Sequence, residues 1–159
     1  MAGRFERTVA YRNHNPLNIR YVNTVKWQGQ IGNGGGFVSF NSFEMGYRAA
    51  VRTLRSYRLR GLKTISQIIS TWAPRSENNT VAYIKAVVDY MNGVFRTQYV
   101  EFTPESVIDL RDREEVKNLL MAMTKVEMGA NAAQLHYMRQ YIYIGYDLAV
   151  TSKDFFKGI

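Results

Sequence analysis

At 159 residues, with no cysteine and two histidines, the chain can build one domain with its own core. Disulfides and thiolate metal sites are excluded, and two histidines argue against a histidine-rich metal centre. Hydrophobic residues at 46% and charged residues at 21% exclude a disordered chain, and a net charge of +8 predicts a polyanionic partner without choosing among nucleic acid, an anionic membrane face and an acidic wall polymer.

No apolar run approaches the roughly eighteen residues of a membrane span. The start, MAGRFERTVAYRNHN, lacks the apolar stretch of a secretory signal. Residues 1–24 read as polar and irregular, with NHNPLNIR as a compact loop, because Pro16 disfavours helix at Asn15. VKWQGQIGNGGGFVSF then predicts a β-hairpin with a loose glycine tip. No Gly-Lys-Ser/Thr follows those glycines, so they do not read as a phosphate-binding loop.

NSFEMGYRAAVRTLRSYRLRG reads as a helix with Asn41 and Glu44 at capping-box spacing and Gly61 at its end. Arg48, Arg52 and Arg55 form a basic stripe, read as a solvated face, and Tyr57 reads as core or as a base-stacking platform. A shorter helix, KTISQIISTWA, stops before Pro74. PRSENN reads as a polar loop, after which Thr80 is positioned to cap VAYIKAVVDYMNG, closed by Gly93. VFRTQYVEF predicts an extended connection and TPES a brief helical turn capped by Thr103. Asp112 caps a helix running to Glu127 with Gly129 beyond it, and Asn131 caps a last helix whose tyrosines read as core. The whole, residues 1–159, is a single, mainly α domain with a small β-hairpin.

Three glutamates compete for a catalytic role. Glu44 begins a helix, where dipole and backbone N–H groups favour its charged form and a capping role. Glu77 lies in a polar loop and reads as solvent-facing. Glu127 ends a helix, against the dipole, on the face of Val116, Leu120 and Met123. Both features raise a carboxyl pKa, as a general acid near neutral pH requires. The competing reading is a frayed end in water, paired with Lys125 or Arg139.

RNHNPLNIR, WQG, FVSFNSFEMGYRAAVRTLRSY, ISQIISTWAP and ENNTVAYIKAVVDYM, in that order, resemble a family of small phage virion-associated muralytic proteins. The resemblance covers residues 11–93, with His14 where the family has asparagine and Leu17 where it has glycine. The same series, rotated, resembles the lysozyme-like lytic transglycosylases, with KVEMGAN as a glutamate motif moved towards the C-terminus, as in a circular permutation. That resemblance implies a lysozyme-like fold, Glu127 as catalytic acid, and substrate contacts from Asn15 or Asn18, Trp72 and Tyr83. Met128, Ala130, Trp72 and Ala73 depart from its usual residues. It requires the end of the Glu127 helix to face the NPLNIR loop.

The implied activity is cleavage of the peptidoglycan MurNAc–GlcNAc strand by one glutamate, without cofactor or metal. The implied setting is the virion, among other virion proteins, acting at the host cell wall. Two alternatives stay open: a peptidoglycan endopeptidase on the same fold, and a non-catalytic basic virion protein. Nucleic acid, the partner the latter would take, ranks behind peptidoglycan.

Overall fold

A computed structural model describes residues 3–74 and 77–159. Its described residues form six α-helices and a two-stranded antiparallel sheet: α1 (Val9–Arg12), β1 (Gln30–Gly34), β2 (Phe37–Phe40), α2 (Phe43–Leu59), α3 (Ile65–Trp72), α4 (Glu77–Phe95), α5 (Arg113–Met128) and α6 (Ala132–Val150). No helix among them is long and apolar enough to cross a membrane.

The hairpin is tighter than its glycine run implies. Pairing extends to Gly34 opposite Phe37, leaving Gly35 and Gly36 as a two-residue turn with φ +69° and +93°. Positive φ at both central residues matches the strand twist, which is why glycine serves there. Residues 25–29 precede the strand outside the sheet, with a turn at Gln28 and Gly29.

Local capping chemistry fixes most helix starts. Thr64 and Gln67 form a reciprocal capping box on α3, and Asn131 and Gln134 form another on α6. Asp112 accepts from the Glu115 N–H at the start of α5, and Gly129 closes that helix in the left-handed region at φ +62°. Three boundaries differ from the sequence expectation. Ser42, not Asn41, caps α2, because the Asn41 N–H is bonded to the Gly29 carbonyl of the hairpin. α4 starts at Glu77 and runs through Gly93 to Phe95, while the Thr80 hydroxyl donates to the Ala73 carbonyl. A 3-10 turn, Arg96–Gln98, then replaces the expected extended connection, and residues 103–106 form a hydrogen-bonded turn without helix. Of the expected polar loop, residues 75 and 76 lie outside the described part.

The core is a helix-on-helix layer with α5 buried between α4 and α6, and α6 packed along α2. Val116, Leu119, Leu120 and Met123 of α5 are fully buried, and the Tyr47 hydroxyl of α2 meets the Thr124 hydroxyl of α5 at 2.7 Å. Gly145 lets α6 cross α2 closely, since a Cβ there would fall within 2.8 Å of the Glu44 carbonyl and Arg48 N. Gly46 does the same for the loop after α1, where a Cβ would fall on the His14 carbonyl and the Pro16 ring. The tyrosines of α6 are not all core: Tyr146 is buried, Tyr141 and Tyr143 are half-buried and Tyr137 is exposed. The α2 arginines likewise are half-buried rather than fully solvated, and Tyr57 is core.

Candidate active site

The loop from Asn13 to Arg20 is built on asparagine side chains. Asn13 donates to the Gly34 carbonyl at 3.0 Å and accepts from the Ser39 hydroxyl at 2.7 Å, which pins the loop to both strands. Asn15 has no exposed surface: its amide donates to the Ile19 and Val38 carbonyls and accepts from the Ile19 N–H, all at 2.9 Å. These bonds bring the chain around Pro16 and leave Asn18 at φ +54°, a conformation asparagine tolerates better than most residues. Leu17 points into the core, 1% exposed, at ordinary φ, so the backbone does not demand the glycine of the resembling family.

On the far side, α5 delivers Glu127 one residue before its end. The position continues the stripe of Val116, Leu120 and Met123 to the point where the core opens. Its half-buried side chain is held by two donors from different elements. The Asn18 amide donates to Oε1 at 3.0 Å, and the Tyr83 hydroxyl of α4 donates to Oε2 at 3.0 Å. A carboxylate at the negative end of a helix dipole is thereby supplied with one hydrogen bond per oxygen. Asn18 Nδ2 faces the carboxylate, so Oδ1 points inward, buried and without a hydrogen-bond partner among the described residues.

Burial, then the negative charge of Glu127, then the hydrogen bond to it raise the Tyr83 pKa well above the ordinary phenol value. All three act against a phenolate beside a carboxylate, so Tyr83 stays a donor across the physiological range. Tyr47, bonded to Thr124 one helical turn before Glu127, is also shifted up by burial.

These groups open on a cleft of about 460 Å³. Asn18 and Arg20 line it from the loop, Trp72 and Pro74 from the end of α3, Asn79 and Tyr83 from α4, and Glu127 from α5. Trp72 braces it, its indole N–H donating to the Leu17 carbonyl at 2.9 Å and its ring set edge-on against Tyr57.

Four of the five residues singled out from the sequence, Glu127, Asn18, Tyr83 and Trp72, therefore share one cleft. Asn15 does not: its polar atoms are consumed by the fold, and it shapes the loop instead of facing a ligand. Glu44 lies in the first turn of α2 and does not line the cleft, and the Glu77 side chain lies outside the described part. Sequence reading missed Arg20 and Asn79. Arg20 closes the NHNPLNIR loop and is exposed, its guanidinium over the Phe37 ring at 5.4 Å. Asn79 stands four residues before Tyr83, the spacing of one helical face, which was the available signal. No group of three or more metal-ligating side chains occurs among the described residues.

No family model matches the sequence. The chain is 34% identical over 125 residues to Protein P5 of Pseudoalteromonas phage PM2, an alignment covering 76% of this chain and 71% of that protein.

Proposed function

The chain belongs to the family of Protein P5 of Pseudoalteromonas phage PM2, which supports a phage setting, and from the geometry of the cleft we propose that it is a lytic transglycosylase cleaving the MurNAc–GlcNAc linkage of peptidoglycan on a lysozyme-like fold. The observation that carries this reading is the Glu127 carboxyl held at the cleft by Asn18 and Tyr83. Residues 18 and 127 are 109 positions apart, so no local preference brings them together. Their meeting is what the rotated order of motifs requires, and it supports that arrangement.

Among the described residues lining the cleft, Glu127 is the one carboxylate. This favours a one-acid mechanism over two-carboxylate hydrolysis. Glu127 enters the reaction protonated. As the C1–O4 bond breaks, its proton passes to the departing O4, and the acetamido oxygen of the muramyl residue bonds to C1. The Glu127 carboxylate then takes the proton of the muramyl C6 hydroxyl, and O6 displaces the acetamido oxygen from C1. A 1,6-anhydro end and a free 4-hydroxyl result. No water is consumed, and the acid is regenerated.

Asn18 and Tyr83 act on the second half of this cycle. As donors they favour the carboxylate that must accept the C6 proton, and they fix where its oxygens point. Trp72 and Tyr83 form the cleft walls against the sugar rings. In this role the protein travels with the virion and works at the host wall.

Digestion of purified peptidoglycan, with products read by mass spectrometry, tests the reading. Anhydromuropeptides are the expected product. Reducing ends would instead identify a hydrolase, and freed peptide termini an endopeptidase; either contradicts the mechanism.

A further inference from the structure

Most of the positive charge is remote from the cleft. The chain carries 21 Lys and Arg against 13 Asp and Glu. The ion pairs Lys85–Asp89, Arg113–Asp147 and Lys117–Glu114 draw on α4, α5 and α6. None lies on α2, whose cations are all arginine and whose acid, Glu44, sits in the first turn.

The C-terminal segment 152–159 packs against the second half of this helix. Arg55 donates to the Phe155 and Asp154 carbonyls at 2.6 and 2.9 Å, and Arg52 lies over the Phe155 ring at 5.8 Å. Arg111 joins from the other side, stacked on Phe156 at 5.1 Å and bonded to the Ile159 carbonyl at 3.2 Å. Arg60 rests on the Tyr57 ring at 5.1 Å, and Lys153 and Lys157 are exposed on the segment itself. Internal carbonyls and rings, which carry no full charge, hold the guanidinium groups of Arg52, Arg55 and Arg60 in place. The acid within the segment, Asp154, accepts from the Ser152 hydroxyl and lies near Arg52 and Arg55 without an ion pair to either.

We infer that the face formed by the second half of α2, Arg111 and the C-terminal segment binds double-stranded DNA through its phosphates, independently of sequence. Guanidinium groups held at fixed positions present their charge and their outward N–H groups to phosphate oxygens from defined places, although Arg55 Nε and Arg52 Nη1 are turned inward. From Arg52 to Arg60 the helix advances about 12 Å, enough to meet several phosphates of a duplex carrying one charge per about 1.7 Å of axis. Peptidoglycan offers sparser carboxylates. An anionic bilayer supplies phosphates too, but binding there draws on apolar insertion. Leu59 is the one large apolar side chain exposed on this face among the described residues.

The test is fluorescence anisotropy of a mixed-sequence 30-base-pair duplex, titrated with the whole protein across a range of salt. A parallel titration uses vesicles of phosphatidylglycerol and phosphatidylcholine. The wild type is expected to bind the duplex with log K falling linearly in log salt. The triple variant Arg60→Gln, Lys153→Gln, Lys157→Gln should lower that slope by about three and weaken binding at least about tenfold near 0.1 M salt. A triple of equal charge elsewhere, Arg12→Gln, Lys26→Gln, Arg139→Gln, should stay within about twofold. If Arg60 proves necessary for folding, the Lys153, Lys157 double variant carries the comparison, with a slope lower by about two. Equal losses in both triples would reduce the effect to net charge. Binding to vesicles but not to the duplex, or to neither, overturns the proposal.

Discussion

At the cleft one carboxylate meets two neutral donors; on the α2 face four arginines meet carbonyls and aromatic rings, with two exposed lysines beside them. The cleft is positioned by buried polar bonds reaching across the molecule: Asn13 and Asn15 to the hairpin, Tyr47 to Thr124, Trp72 to Leu17. A group fixed in this way can be asked to transfer a proton at a defined point. On the α2 face the six cations outnumber the acid beside them, Asp154, and their field extends into solvent. The difference is one of what is neutralised within the fold and what is left for a ligand. It predicts that cleft substitutions cost stability or turnover, whereas charge removal from the other face costs neither.

The largest stability effect should come from Asn15→Ala. It strands the Ile19 N–H and takes a side-chain donor from the Ile19 and Val38 carbonyls, the former keeping the Val38 N–H, and a loss of about 3 kcal/mol in urea unfolding is expected. An unchanged midpoint would mean that the loop does not depend on this side chain. Gly46→Ala should follow at about 2 kcal/mol, because the new methyl forces the His14 carbonyl and Pro16 ring away from α2. Activity should fall with it, since that displacement carries Asn18 away from Glu127. Tyr83→Phe keeps the buried ring and removes one donor. It should lower turnover about tenfold while stability changes by less than about 1 kcal/mol.

Alkaline pH tests the buried phenols on the cleft side by another route. Tyr47 and Tyr83 have folded pKa values raised above the ordinary phenol value of 10.0. Their contribution is therefore fully present below pH 10 and is lost as pH climbs from there towards the folded values, because the unfolded phenols ionise first. Thermal melts at pH 9 and pH 11 should show this decline, and Tyr47→Phe should reduce it. The smallest effect belongs to the exposed Arg113–Asp147 pair, bidentate at 2.8 and 2.9 Å. Arg113→Gln should change stability by less than about 1 kcal/mol, and less still at high salt.

Much of the scaffold was legible because its signals are local. Asp112, Gly129 and Asn131 cap their helices through atoms within three residues, and the period of Val116, Leu120 and Met123 carries Glu127 to the edge of the core. What escaped depends on partners distant in sequence. Asn41 has the spacing of a cap but is engaged by Gly29, so Ser42 serves instead. Asn15 and Asn18 are equivalent as sequence, and only the packing of β2 beside the loop makes one internal and the other a cleft residue. The half-exposed tyrosines of α6 share the period of buried ones, which periodicity alone does not separate. Arg20 belongs to a quoted motif, yet its place at the cleft follows from the bridge between its backbone and Phe37.

The most direct test of the central claim is the rate of peptidoglycan solubilisation by Glu127→Gln relative to wild type, with both shown to melt at the same temperature. Glutamine keeps the shape and an acceptor for Asn18 or Tyr83 but carries no acidic proton. A loss of about 10²- to 10⁴-fold is the predicted result. A variant that solubilises the wall as fast as wild type would remove Glu127 from the chemistry and contradict the account.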